Sequence, residues 1–402
     1  MRLHRNLCFT VIDSLNMIFN EEEYAGKVVE KALKRDKRWG ARDRKFVAET
    51  IYDIVRWKRL YNEIAGTKDH YTRDNLWKLF AVWAVLKGIE LPDWKYFEGT
   101  PVRRIKGMFD EAQNTRAIKE SIPDWMDELG VKELGEAVWS RELTALNQKA
   151  EVILRVNTLK IDIATLQKFL RKEEVDTETI RDNPSALRLV ERKNVFLTEA
   201  FKRGYFEVQD ASSQLVAPFL QVEPGMRVVD TCAGAGGKTL HLAAIMQNKG
   251  QIIAMDIYAG KLAQLKKRAK RASVHNIDMR VIENSKAIKK LKDSADAVLI
   301  DAPCSGIGVL RRNPDSKWKL RPEFIENIKK TQAEILDSYS RMVKIGGKLV
   351  YATCSILPSE NQDQVKTFLE SHSEFSFVSD QKIMPSKSGF DGFYMALLER
   401  SK

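Results

Sequence analysis

Apolar residues recur every three or four positions through roughly the first 145 residues of the chain. Tyr24 to Leu33 and Arg44 to Val55 carry this spacing most plainly, and it predicts amphipathic helices. Pro92, Pro101 and Pro123 punctuate the later helices. Leu76, Phe80 and Trp83 share one helical face and read as core, whereas Trp77 points elsewhere. Near residue 150 the pattern changes. Ala150 to Asn157 alternates as a strand, Asn157 to Lys160 is a turn, and Ile163 to Lys172 reads as a helix. Leu187 to Val190 and Asn194 to Leu197 look like further strands. From about Gln221 strands and helices alternate. The strands run Arg227 to Asp230, Gln251 to Asp256, Met279 to Asn284, Ala297 to Asp301 and Gly347 to Thr353. Gly346-Gly347 closes a long helix over Pro322 to Lys344, and Phe393 to Leu398 is a last strand, antiparallel at the sheet edge. Alternation of this kind predicts a mostly parallel sheet with helices on both faces.

Composition narrows the class. The chain's 402 residues suffice for two or three domains with proper cores. Its 67 basic against 55 acidic residues give a net charge of +12, which favours a polyanionic partner. Cys8, Cys232, Cys304 and Cys354 lie far apart with no C-x-x-C pairing, so neither a disulfide framework nor a zinc site is expected, and a reducing cytosol fits. His241 and His275 have no spaced partners for a metal. The first residues faintly suggest a signal peptide, but Asp13, Ser14 and Asn16 interrupt the apolar run. No stretch approaches the length of a membrane span. A cytoplasmic protein without a membrane or metal partner is expected.

The chemistry concentrates in Asp301-Ala-Pro-Cys304-Ser-Gly306 and Thr353-Cys354-Ser355. Each follows a short apolar strand, so a carboxylate and two thiols fall at strand carboxyl ends, where open α/β sheets bind ligands. Either cysteine alone reads as a small buried hydrophobe. Together beside an aspartate they suit covalent catalysis. A third strand end carries Asp230-Thr-Cys232-Ala-Gly234-Ala-Gly236-Gly237-Lys238-Thr239. Position 232 is cysteine where a P-loop needs glycine, and the dinucleotide G-x-G-x-x-G spacing is absent.

Asp301-Ala-Pro-Cys-Ser-Gly, Arg311-Arg-Asn-Pro-Asp-Ser-Lys-Trp318 and Thr353-Cys-Ser resemble the RNA 5-methylcytosine methyltransferases. The chain is most similar to their bacterial small-subunit ribosomal RNA methyltransferase B branch, also called Sun or Fmu. The resemblance runs from about Glu151 to the C-terminus and is looser before it. It implies a Rossmann-like class I methyltransferase sheet over 223–402, a small α/β RNA-binding region over 146–222 and an all-α NusB-like RNA-binding domain over 1–145. It implies S-adenosylmethionine as cofactor, held by Cys232, Ala233, Gly234, Ala235, Gly236, Gly237, Lys238, Asp256 and Asp301. Asp256 stands about 20 residues after the glycines, where a carboxylate can take ribose hydroxyls. The family usually has Ala-Pro before the paired glycines, a carboxylate after the third strand, and threonine where Ile307 stands. Here Gly234-Ala235 and Glu283-Asn284 occur instead, and Asn284 is the candidate for the adenine.

The resemblance also assigns roles. Cys354 would be the nucleophile and Cys304 would assist breakdown of the covalent adduct. Asp301 would act as acid or hydrogen-bond partner at the cytosine ring, which needs a raised pKa and burial for proton donation. Lys238 either lowers the thiol's pKa or is a surface lysine at a helix start. Arg155, Asn157, Lys160, Arg311, Arg312 and Lys317 are candidate RNA contacts. So is the basic segment Arg38 to Lys45 with Arg56, Lys58 and Arg59, which reads equally as a solvated helix face. Lys266 to Arg271 reads as solvated. The expectation is a monomeric RNA cytosine carbon-5 methyltransferase acting on small-subunit ribosomal RNA. A transfer RNA substrate, or an RNA-binding assembly factor with a relict fold, are the alternatives.

Overall fold

The computed structural model describes residues 3–67 and 69–402; Met1 and Arg2, at the head of the stretch weighed as a signal peptide, lie outside these. The chain divides into two compact units, Met1–Gln148 with Leu310–Pro322, and Lys149–Val309 with Glu323–Lys402. This differs from a three-part division at 145 and 222 in two respects. The small α/β region shares a unit with the large sheet, and a short segment after the Cys304 loop belongs to the helical unit. Among the described residues, no helix is long and apolar enough to cross a membrane.

The helical unit is built around the helix Arg73–Leu86, whose residues from Leu79 to Val85 are all buried. A helix apolar on every side must be enclosed by others. Leu76, Phe80 and Trp83 are core, as their spacing predicts, and Trp77 is buried as well, stacked on Tyr96 with ring centroids 4.5 Å apart. Trp39 is also buried, inside the basic segment.

Much of the segment Leu310–Pro322 fills this unit, although Arg321 is exposed. Trp318 donates its indole N–H to the carbonyl of Val55 at 2.7 Å and lies under the Lys58 ammonium, 5.1 Å from the ring centroid. Asp315 accepts from the Ala25 N–H at 3.0 Å, at the start of the helix Ala25–Leu33. Lys317 is 1% exposed and donates to Asn147 Oδ1 at 3.2 Å. Burial, followed by the nearby Arg56 charge, pushes its ammonium well below the usual lysine range. Arg311 is buried too, and its carbonyl accepts from Arg56. Arg311 and Lys317 are therefore internal, not phosphate contacts; Arg312 between them is half-buried. Arg56, Lys58 and Arg59 likewise turn to internal partners, Arg59 donating to the Ile122 carbonyl at 2.6 Å.

The second unit holds two sheets. The strands are β1 (Ile153–Val156), β2 (Thr177–Ile180), β3 (Asn183–Leu189), β4 (Phe206–Val208), β5 (Arg227–Asp230), β6 (Gln251–Asp256), β7 (Ile277–Val281), β8 (Ala295–Asp301), β9 (Val343–Thr353), β10 (Phe375–Ile383) and β11 (Phe393–Arg400). The small sheet has the order β2-β3-β1-β4, all antiparallel. Asn194 to Leu197 is not one of its strands: the Asn194 side chain accepts from the Phe196 N–H and starts a 3₁₀ turn. The large sheet has the order β10-β11-β9-β8-β5-β6-β7, with β5 to β9 parallel and the last two strands antiparallel. The expected edge strand β11 is interior, and β10 lies outside it. β10 alternates poorly and is mostly exposed, so periodicity does not reveal it. Gly346-Gly347 does not cap a helix either; the helix ends at Ser340, and the pair forms an irregularity in β9 where its pairing to β8 slips.

Trp318→Ala should lower the stability of the helical unit by about 3 kcal/mol, the usual cost of emptying a packed indole site. Thermal unfolding followed by circular dichroism would read this as an earlier transition. An unchanged melting curve would mean that the segment is not part of the helical core.

Candidate active site

The chain order reverses between β5 and β8, and the carboxyl ends of β5, β6, β8 and β9 bring Asp230, Asp256, Asp301 and Cys354 to one side of the sheet. Such a switch point is where open α/β sheets form a crevice. The loop after β5 enters the helix Gly237–Ile245 through Gly236, whose φ is +87°. A side chain at Gly236 would strike Leu265 at 2.1 Å, so only glycine lets the loop sit this close to the helix Ala259–Ala272. The Gly234 N–H donates to Asp256 Oδ2 at 2.8 Å, and the Tyr258 N–H donates to Oδ1 of the same carboxylate at 2.8 Å. Asp256 thus braces the loop and retains lone pairs for a ligand.

Asp230 is buried beneath this loop. Thr239 donates to its Oδ2 at 2.7 Å, while Oδ1 has no partner among the described residues. Burial pushes the Asp230 carboxyl up to about 7, although Thr239 and Lys238 pull the other way. An unpartnered acceptor under an open glycine loop suits a ligand that brings a donor. Ile257, 58% exposed directly after Asp256, offers an apolar wall beside it. Asn284 accepts the Lys286 N–H with its own oxygen as a helix cap, which leaves its amide N–H₂ and one oxygen lone pair for a base. Cys232 is packed in the same loop, and burial pushes its thiol up to about 12.

Lys238 is not a surface lysine. It donates to Asp301 Oδ2 at 2.7 Å, and its side chain is 11% exposed. Burial alone would lower its pKa, but Asp301, Cys354 and Asp230 together raise it above the ordinary value. Beside this pair the two thiols meet: Cys304 Sγ and Cys354 Sγ are 3.3 Å apart and both are free. The hydrogen bond to Cys354, then burial, then the charges of Cys354 and Glu360 push the Cys304 thiol well above the usual range.

Glu360 is the residue that sequence reasoning missed. It is fully buried and accepts from the Ser305 N–H at 2.7 Å, Ser305 Oγ at 2.5 Å, Ser355 Oγ at 2.6 Å and Gln332 Nε2 at 3.1 Å. Ser305 and Ser355 directly follow the two cysteines. Asn361 adds to this, accepting from Thr353 Oγ1 at 2.5 Å and donating to the Ser355 carbonyl at 3.0 Å. Gly308 packs against the backbone of Cys354, to which its N–H donates at 3.0 Å; a side chain there would lie 2.7 Å from that carbonyl oxygen. The only signal in the sequence is a polar Glu-Asn pair six residues past the cysteine.

Arg155, Asn157 and Lys160 grip protein, not solvent. Arg155 donates to the Gly237 carbonyl at 2.5 Å and to Gln209 Oε1. Asn157 donates to the Ala272 carbonyl at 2.9 Å and Lys160 to the Arg271 carbonyl at 2.8 Å. These two side chains satisfy carbonyls that the helix Ala259–Ala272 leaves open at its end. Arg268 and Arg271, read from sequence as solvated, pair with the buried Glu207 of β4, and Arg268 also donates to the Ala235 carbonyl at 2.8 Å. Both ends of the glycine loop are therefore tied to the small sheet. Arg155 and Asn157 are buried, which removes them as RNA contacts, and two N–H of the half-buried Lys160 ammonium go to carbonyls.

Comparison with known proteins agrees with this geometry. The family model described as 16S rRNA methyltransferase RsmB/F matches residues 217–399, and that described as the Methyltr_RsmF/B-like, ferredoxin-like domain matches residues 122–196. The probable ribosomal RNA small subunit methyltransferase B of Synechocystis is 28% identical over 99% of both chains. The protein of that same description from Bacillus subtilis is 31% identical over 75% of this chain and 68% of its own. The crystal structure of PH0851 superposes with a TM-score of 0.85 over 100% of both chains, at 26% identity. By sequence and by fold, the chain belongs to the RsmB/F family of methyltransferases.

Proposed function

We propose that this chain transfers a methyl group from S-adenosylmethionine to carbon 5 of a cytosine in small-subunit ribosomal RNA. The observation that carries this reading is the pair of thiols 3.3 Å apart beside Asp301 and Lys238. Cytosine carbon 5 is too poor a nucleophile to take a methyl group unaided. A thiolate added at carbon 6 makes the ring an enamine, whose carbon 5 can attack. Cys354 adds. Carbon 5 takes the methyl group, its own proton then leaves, and the carbon 6–sulfur bond breaks to restore the ring and free Cys354, a release assisted by Cys304 at 3.3 Å. Charge that builds on the ring is met by Asp301 and its Lys238 partner, a proton-bearing pair at the base. The relatives' description as small-subunit ribosomal RNA methyltransferases supports the substrate.

The cofactor supplies an electrophilic methyl group on sulfur. Its holders would be the Gly234 to Gly237 loop, the Asp256 carboxylate toward the ribose, Ile257 against the base, and Asp230 Oδ1 toward the amino group. The unpartnered Oδ1 and the open space at Gly234 favour this fit.

Asp256→Ala should weaken S-adenosylmethionine binding by tenfold or more, and Arg155→Met by about tenfold, the usual consequence of losing a charged hydrogen bond to the loop. Calorimetry would measure both. The salt dependence of RNA binding by Arg155→Met should match the wild type, since no phosphate contact is lost. A shallower slope would return Arg155 to the RNA surface.

The thiols should also separate. Cys354→Ala should lose methylation by on the order of 10⁴-fold or more and form no covalent protein–RNA adduct. Cys304→Ala should methylate once and then stall as an adduct on a denaturing gel. The reverse pattern would exchange their roles. Bisulfite mapping of treated small-subunit ribosomal RNA and transfer RNA should find the new 5-methylcytosine in the former; its appearance in transfer RNA alone would overturn the substrate.

A further inference from the structure

Two thiols in van der Waals contact pose a question of proton placement. If both were neutral, neither would attack; if both were charged, they would repel. One must hold its proton while the other gives it up, and the surroundings must say which. The bonds around the pair are uneven: Glu360 takes both the N–H and the hydroxyl of Ser305 after Cys304, but only the hydroxyl of Ser355 after Cys354. Lys238, itself bonded to Asp301, interacts electrostatically with Cys354. Glu360 acts on Cys304, since it binds both the amide N–H that directly follows Cys304 and the Ser305 hydroxyl.

We infer that Glu360 is a positioning residue that fixes the proton on Cys304 and so leaves Cys354 as the nucleophile. The inference rests on the methyl-transfer reading for its meaning, but not for its measurement. Of the four donors on Glu360, the Ser305 N–H and the Gln332 amide can only donate. Both bind Oε2, while Oε1 takes the hydroxyls of Ser305 and Ser355, so all four groups can donate to the carboxylate form. A negative charge at this depth acts through little water, and its effect on a neighbouring thiol is one-sided: it opposes a second negative charge on Cys304. The thiol of Cys304 is raised accordingly, with Glu360 among the causes after the hydrogen bond to Cys354, burial and the Cys354 charge. The same four bonds set the spacing of the pair. They run to residues adjoining each cysteine, so the carboxylate ties the loop after β8 to the loop after β9.

The test is alkylation of the full-length protein by iodoacetamide between pH 6 and 10, with each cysteine followed by peptide mass analysis. Only thiolates react at appreciable rate, so the pH at half-maximal rate reports each proton. In the wild type Cys354 should react at lower pH than Cys304; the opposite order overturns the proposal without any variant. Glu360→Gln keeps the shape and removes the charge. It should raise the alkylation rate of Cys304 at pH 8 roughly tenfold, the equivalent of a shift of about one pH unit. Ser355→Ala removes one hydrogen bond and keeps the charge, so Cys304 should titrate as in the wild type. An unmoved Cys304 in Glu360→Gln, or an equal shift in Ser355→Ala, overturns the proposal and leaves Glu360 as a structural brace alone. Neither RNA nor cofactor enters the assay. A wild type that shows the expected alkylation order yet methylates no RNA would therefore sink the cytosine reading and not this one.

Discussion

A carboxylate with no contact to water is costly unless every lone pair is met, and this chain meets those of Glu360 with four donors. Those donors come from the Ser305 loop, the Ser355 loop and the helix Pro322–Ser340. The charge can therefore be buried only when β8, β9 and that helix have reached their final positions together. Any slip of one loop would strand a buried charge, a penalty of several kcal/mol. The thiol spacing of 3.3 Å inherits its definition from this requirement. Loosening the site would break bonds to a buried acidic group, a penalty that hydrophobic packing alone would not impose.

The small antiparallel sheet takes part in the same scheme from the other side. Arg155 of β1 donates directly to the Gly237 carbonyl of the glycine loop, and Glu207 of β4 holds Arg268 of the helix Ala259–Ala272, which donates to the Ala235 carbonyl. A region that looks from its sequence like a separate RNA-gripping module is thus tied to the glycine loop. Movement of that sheet would be felt at the loop through one direct bond, to the Gly237 carbonyl, and through Arg268 at the Ala235 carbonyl.

What could be read from the sequence follows a physical line. Strand ends carrying Asp230, Asp256, Asp301, Cys304 and Cys354 were legible because short apolar runs broken by turn residues are a local signal. The family motifs lie on those same turns. Cations were not legible. Arg155, Lys160, Arg311 and Lys317 are long donors in a basic chain, and sequence does not distinguish a donor aimed at phosphate from one aimed at a carbonyl. Glu360 was hidden for the converse reason, since a carboxylate before a polar helix resembles an ordinary start signal. The strand β10 escaped because an exposed edge needs no apolar alternation.

The segment Leu310–Pro322 has a consequence for how the molecule is made. The ribosome releases residues 3–148 first, but the slot for Trp318 stays empty until Pro322 has been synthesised. At roughly 5–20 residues per second, the wait is on the order of ten seconds or more. During that interval the nascent helical unit displays an unfilled aromatic site and an unanswered carbonyl at Val55. Vectorial synthesis thus cannot finish the first unit before most of the second has emerged, and the two must mature as one.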